Sequence, residues 1–199
     1  MLNLEQKNAF WSDKFDSLDL SGEEVSSKEF ESCTFDKCNF SDTAFKRCTF
    51  IDCEFSHCNL SNAQIAYCIF TDVSFRDSKL IGIDWTNVAW SELIYNSPVK
   101  FYQSILNDSS FYGLCLQDLT MEACKAQNVD FREGDFRHSN FTFSELQGSF
   151  FDNTNLSGVD FSEATDYNID IHRNKLKNAK FSRFEAVRLL ESLDIQLVD

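Results

Sequence analysis

The chain has 199 residues and a formal net charge of −14, which opposes phosphate and excludes a basic nucleic-acid binder. Hydrophobic residues make up 43%, enough for a core, but no apolar run approaches the roughly 18–20 residues of a membrane span. One Pro and six Gly argue against disordered linkers, and eight Cys behind a start with no secretory character point to reduced thiols in the cytoplasm.

Residues 1–30 carry only a blurred pattern. Leu20, Val25 and Phe30 can be set five apart, but Glu23 and Lys28 fit poorly between them. This stretch is expected to hold an N-terminal cap and the first repeats, with Phe10 and Trp11 as a plug over the open end.

From Cys33 to Leu80 a period of five takes over. Phe35, Phe40, Phe45, Phe50, Phe55, Leu60, Ile65, Phe70, Phe75 and Leu80 are the large residues. Two before each stands a small or slim one, such as Cys33, Cys38, Thr43, Cys48, Ala63 or Ser78. Five is neither the 3.6 of a helix nor the 2 of a flat strand, so the pattern is that of a short-repeat solenoid. Four fives close a square coil of about 20 residues, and coils stack at about 4.8 Å. The large residue and the small one point inward, because side chains alternate along extended backbone. At separations of 20, Phe30, Phe50, Phe70 and Trp90 form one column, and Phe35, Phe55, Phe75 and Tyr95 the next. Each buried Phe contributes roughly 1.5–3 kcal/mol relative to exposure. The Cys are read as buried thiols serving as small hydrophobes, not as disulfides or zinc ligands, since their spacing of five suits neither.

The register slips by one within 95–100, around Pro98, the sole proline, which suits a bulge. The new phase runs Phe101, Leu106, Phe111, Leu116, Met121, then Phe131 to Phe161, and closes with Ile171, Leu176 and Phe181. Ala126 and Asp166 break the large-residue rule, and a bend is expected at 165–168. The coil thus spans 31–181. Residues 182–199 change character. Ser182 and Glu185 are spaced as a capping box, and Phe184, Val187, Leu190 and Leu193 follow at three-residue spacing. An amphipathic α-helix over about 183–193 and a short strand at Ile195 and Leu197 are expected to cap the coil. Their apolar content exceeds one cap's need, so a homodimer through this end is expected, with Phe184, Val187, Leu190, Leu193, Ile195 and Leu197 at its interface.

Acids crowd the second half. Between Asp108 and Asp170 there are twelve, against Lys125, Arg132 and Arg137. Asp118, Glu122, Asp130, Glu133, Asp135, Glu145, Asp152, Asp160 and Glu163 are the candidate partner-binding acidic face, most of them at outward positions. Asp130, Asp135 and Asp160 precede a large residue, where a carboxylate can cap a turn. No catalytic constellation, phosphate loop, metal set or cofactor motif is present, so an enzyme is not expected. A rod on the order of 20 Å wide and lined with carboxylates has the girth of a DNA duplex and would suit a basic DNA-binding saddle.

These repeats, as in Cys38-Asn39-Phe40, Thr154-Asn155-Leu156 and Val159-Asp160-Phe161, resemble the pentapeptide repeat family. The resemblance implies an all-β, right-handed quadrilateral β-helix. Ile105 to Leu114, Phe75 to Trp85, Asn168 to Phe181 and Leu189 to Ile195 are similar to the albicidin-resistance branch, and more distantly to the quinolone-resistance (Qnr) and microcin B17 immunity branches. That likeness implies a dimeric DNA mimic that binds DNA gyrase, and topoisomerase IV as a second target, and protects it from poisons. Against it, the long loops of the quinolone-resistance branch have no counterpart longer than 95–100. The alternative is a scaffold with no topoisomerase target.

Overall fold

The computed structural model describes residues 7–91, 97–193, 195, 196 and 198. The chain winds about eight coils of a parallel β-solenoid. Strands are mostly three residues long and pair with the strand one coil away. Phe15 of Lys14–Asp16 lies against Phe35 of Thr34–Asp36, and Phe35 against Phe55. Backbone bonds run both ways between coils: the Thr34 N–H donates to Asp13 O (3.1 Å), and the Ser17 N–H to Asp36 O (2.9 Å).

Four walls result. The first carries Phe10, Phe30, Phe50 and Phe70 and, after the insertion below, Leu116, Phe136 and Leu156. The second carries Phe15, Phe35, Phe55, Phe75, Phe101, Met121, Phe141 and Phe161. The third runs through Phe40, Leu60, Leu80, Leu106, Ala126 and Leu146, the fourth through Val25, Phe45, Ile65, Trp85, Phe111, Phe131 and Phe151. Within a wall the rings stack, with centroids 4.5 Å apart for Phe35 and Phe55 and 5.5 Å for Phe111 and Phe131. Rings of neighbouring walls meet edge to face, as Phe30 and Phe35 do at 5.4 Å. The edge-to-face contacts between walls match the ring quadrupole, while within a wall the rings stack face on face at coil spacing.

The small inward position has a specific task. Polar side chains there reach the carbonyl of the large residue 23 positions earlier, or 29 across the insertion, as Ser104 reaches Phe75 O. Cys33 Sγ reaches Phe10 O at 3.5 Å, Thr43 Oγ1 reaches Leu20 O at 2.7 Å, and Ser144 Oγ reaches Met121 O at 2.8 Å. Cys, Ser and Thr supply the donor as well as the fit. In the first coil Asp13, Leu18, Glu23 and Lys28 hold these places, none of them fully buried, and Lys28 Nζ reaches the Lys7 carbonyl at 2.8 Å, which blurs the repeat. Phe10 is accordingly the first rung of a ladder, stacked on Phe30 at 5.1 Å, and Trp11 faces outward. The two are not a plug.

At the third outward position the chain turns most corners with positive φ, from 48° at Asp77 to 62° at His138 for residues other than Gly; after Trp85 a short 3-10 turn does so instead. Ser, Asp, Asn and Gly dominate there because they bear the left-handed conformation at least cost. Gly158 illustrates the crowding, since a Cβ there would lie 2.5 Å from His138 Nδ1.

The slip is larger than one residue. Val73 pairs with Val99, and the Ser104 hydroxyl serves the Ser78 N–H across 26 positions, so this coil has six extra residues. The register holds through Trp90, since the Ala89 N–H still meets Cys68 O at 2.9 Å. The rung over Phe75 is Phe101, not Tyr95, which lies outside the described residues. Ala126 stays in register, with its N–H on Glu145 O at 2.9 Å, and does not distort the wall. Asp166 does: it takes a φ of 59°, Tyr167 turns into the core in its place, and Phe151 pairs with Ile169, only 18 positions on.

The C-terminal segment Glu185–Leu193 is a 3-10 helix where an α-helix was expected. The capping box does not form either. Ser182 Oγ instead accepts from the Glu163 N–H and donates to the Glu163 carboxylate, while Glu185 holds Arg188 Nε at 2.7 Å and accepts from the Asp166 N–H. Tertiary donors on the last coil outcompete the local ones. Leu189 packs on the core, and Phe184 is 90% exposed.

Candidate interaction surface

The outward positions of each five hold the chemistry. In many fives the residue before the large one is Asp or Asn, and its side chain accepts the N–H two residues on. Asp130, Asp135 and Asp160 do this to Arg132 (3.1 Å), Arg137 (3.3 Å) and Ser162 (2.9 Å), the turn caps expected from their position. All three caps are also ion pairs, Asp160 with Lys180 at 2.9 Å. Arg132 grips Asp130 through Nε and Nη2 at 2.9 and 2.6 Å, and Arg137 Nη2 meets Asp135 at 2.8 Å. The guanidinium holds the Asp130 carboxyl below its ordinary range, and the Ser162 hydrogen bonds do the same for Asp160.

The nine candidate acids do not line one wall. Asp118 and Asp135 belong to the first, Glu122, Asp160 and Glu163 to the second, Glu145 to the third, and Asp130, Glu133 and Asp152 to the fourth. Five have a cation at hand: Asp130, Asp135, Asp152 with Arg173, Asp160 with Lys180 at 2.9 Å, and Glu145 with Lys125 at 4.0 Å. The other four have none among the described residues. Glu122 takes Asn140 (3.3 Å), Glu133 takes Asn153 (3.0 Å), and Glu163 takes Ser182 (2.9 Å). Amides recur as spacers between coils: Asn62 on Asp42 (3.2 Å) and Asn128 on Asp108 (3.1 Å) repeat the arrangement. A stack of carboxylates at coil spacing would repel itself, and interleaved amides relieve that while keeping the net charge.

Sequence reasoning overlooked the first coil. Asp13, Asp16, Asp19, Glu23, Glu24, Glu29 and Glu31 face two bases, Lys14 and Lys28. Of these acids only Glu24 is paired among the described residues, with Lys46 at 2.6 Å. The composition of 13–31 carried that signal. Also missed were outward aromatics: Trp11, Tyr67, Tyr112, Phe143 and Phe150 are all exposed. Tyr112 and Phe150 flank Arg132, whose guanidinium carbon is 5.8 and 5.6 Å from their ring centres.

Of the six expected dimer residues, Phe184, Val187, Leu193 and Ile195 are exposed and Leu190 is half-buried, while Leu197 lies outside the described residues. Among the described residues no cluster of three or more His, Cys, Asp or Glu could hold a metal ion, and no helix is long and apolar enough to cross a membrane.

Comparison with known proteins places this geometry. A family model described as a pentapeptide repeat region matches residues 28–97 and 95–161. The fold matches solved structures of QnrB1, described as a plasmid-mediated fluoroquinolone resistance protein. One trypsin-treated point variant aligns with a TM-score of 0.71 at 20% identity, covering 96% of this chain and 97% of that one. A second gives 0.69 at 20% identity, covering 96% and 99%. The full-length protein gives 0.57 at 19% identity, covering 94% and 100%. No curated protein sequence matches the chain.

Proposed function

This chain belongs to the pentapeptide repeat family, and from that premise we propose that it is a protein-binding rod that mimics duplex DNA and shields DNA gyrase from topoisomerase poisons. Topoisomerase IV is its second target. The observation that carries this reading is a rigid four-walled rod, net −14, with carboxylates protruding on every side. Each wall is five residues at roughly 3.3 Å, which with side chains gives a width on the order of 20 Å. Charge on all sides suits a mimic that is gripped around its girth by a basic saddle, as a duplex is. Within it, Asp118, Glu122, Glu133 and Glu163, which have no cation partner among the described residues, are the acids best placed to meet partner bases, and the acidic first coil joins them. Two copies joined through Phe184, Val187, Leu190, Leu193, Ile195 and Leu197 would double the rod. The setting is the cytoplasm, and there is no enzymatic step. The likeness to a fluoroquinolone resistance protein supports this reading through the fold alone.

A gyrase supercoiling assay with albicidin or a fluoroquinolone tests it. The expected result is restored supercoiling at moderate protein concentration and inhibition at high excess. Neither effect at any concentration would falsify the reading. It would favour a scaffold without a topoisomerase target, a role to which the neutralisation of five of the nine acids also lends weight.

A further inference from the structure

On the fourth wall, the pairing of Phe151 with Ile169 leaves the coil above two residues out of step. A groove of about 370 Å³ opens beside Phe150, lined among others by Arg132, Asp152, Asn168, Asp170 and Arg173. Phe150 stands at an outward position, 54% exposed, where a repeat of this kind ordinarily carries Asp or Asn. Both arginines are engaged. Arg132 is chelated by Asp130 and wedged between Tyr112 and Phe150, and Arg173 is bound to Asp152 Oδ2. Asp152 Oδ1, by contrast, is buried and has no donor. The Asp170 carboxylate receives only the His172 N–H, at 2.7 Å, and has no cation partner among the described residues. The two ion pairs cancel, so the Asp170 carboxylate leaves the groove with a net negative charge and an unmet acceptor beside the half-exposed Phe150 ring, which already carries Arg132.

We infer that this groove receives an arginine side chain of a protein partner. A guanidinium is planar, stacks on a ring and presents several donors in a fork, so one group can lie along Phe150 while donating to the Asp170 carboxylate. An ammonium has no plane to stack, and an acidic side chain would meet Asp170 and two arginines already taken. The inference does not depend on gyrase being the partner: it concerns the groove and the chemistry that fills it.

Capped single amino acids are the probe of choice, because a long basic peptide would adhere anywhere on so acidic a chain. Acetyl-arginine amide is titrated into the ¹⁵N-labelled full chain and amide shifts are followed. Saturable shifts are expected at Phe150, Asp152 and 168–170, with a Kd on the order of 1–10 mM. Phe150→Ala and Asp170→Asn should each weaken the affinity about threefold or more. Equal shifts of the same amides by acetyl-glutamate amide, equal affinity for acetyl-lysine amide, or no saturable shift with arginine would overturn the inference. These wild-type titrations decide the matter even if a variant fails to fold, and they stand apart from the supercoiling assay, so either reading can fail alone.

Discussion

At the scale of the residue, the telling position is the small inward one. Its sequence signature, Cys alternating with Ser, Thr, Ala and Val, suggested only a limit on size. The contacts add a reason for the polar members: a hydroxyl or thiol there meets a carbonyl of the coil below, as Ser149 and Thr154 do over Ala126 and Phe131. A thiol is the most apolar group that can still donate, so it suits a core lined by phenyl rings. Burial pushes the Cys53 and Cys124 thiols up to about 12, which keeps them protonated and unreactive at neutral pH. Cys115 alone faces outward. In the folded protein a disulfide-exchange reagent should therefore modify one thiol quickly, and Cys115→Ser should abolish that phase. In denaturant all eight should react. Rapid modification of several thiols in the native state would contradict the buried ladder. Larger side chains fail for the same reason: Phe131→Ala on the axis should cost about 3–5 kcal/mol by denaturant titration, since neighbouring rungs cannot collapse into the gap.

At the scale of the element, each five is held by a turn cap as much as by its core residue. The Asp130 and Asp160 carboxyls lie below their ordinary values because they are hydrogen-bonded as anions. A depressed folded-state value means that their contribution is present above the ordinary carboxylate range, near pH 4, and is lost as pH falls through the lower folded value. Stability measured by urea unfolding should thus decline below about pH 4. Asp130→Asn keeps the backbone cap but removes the charge, so the double variant Asp130→Asn with Asp160→Asn should show a flatter acid slope. An unchanged slope would assign the acid sensitivity elsewhere. The insertion and the C-terminal helix belong to this scale too. A count in fives registers only a remainder, so six extra residues and a slip of one look identical in sequence. The capping box was legible as spacing, but Ser182 and Glu185 found better partners on the coil below.

At the scale of the whole molecule, charge decides behaviour. Attraction to a basic saddle is electrostatic, and its range shrinks from about 10 Å at 0.1 M salt to about 3 Å at 1 M. The concentration needed to protect gyrase should rise by about an order of magnitude as potassium salt is raised from low to moderate levels. A salt-independent effect would speak for apolar anchoring instead. For the proposed dimer, Phe184→Glu places a charge on a side chain that is 90% exposed in one copy, so folding should persist while the mass by light scattering falls from the dimer's twice 23.0 kDa to 23.0 kDa. An unchanged mass would remove that end as the interface. The sequence by itself determined the coil, its period, its inward ladders and its net charge, because each follows from a rule that acts every five residues along the chain. Only the tertiary structure decided where the acids point, which of them are neutralised, and where the fourth wall opens beside Phe150. Those outcomes depend on which residues 18, 20 or 26 positions apart come to lie side by side, and that is set by the closure of whole coils.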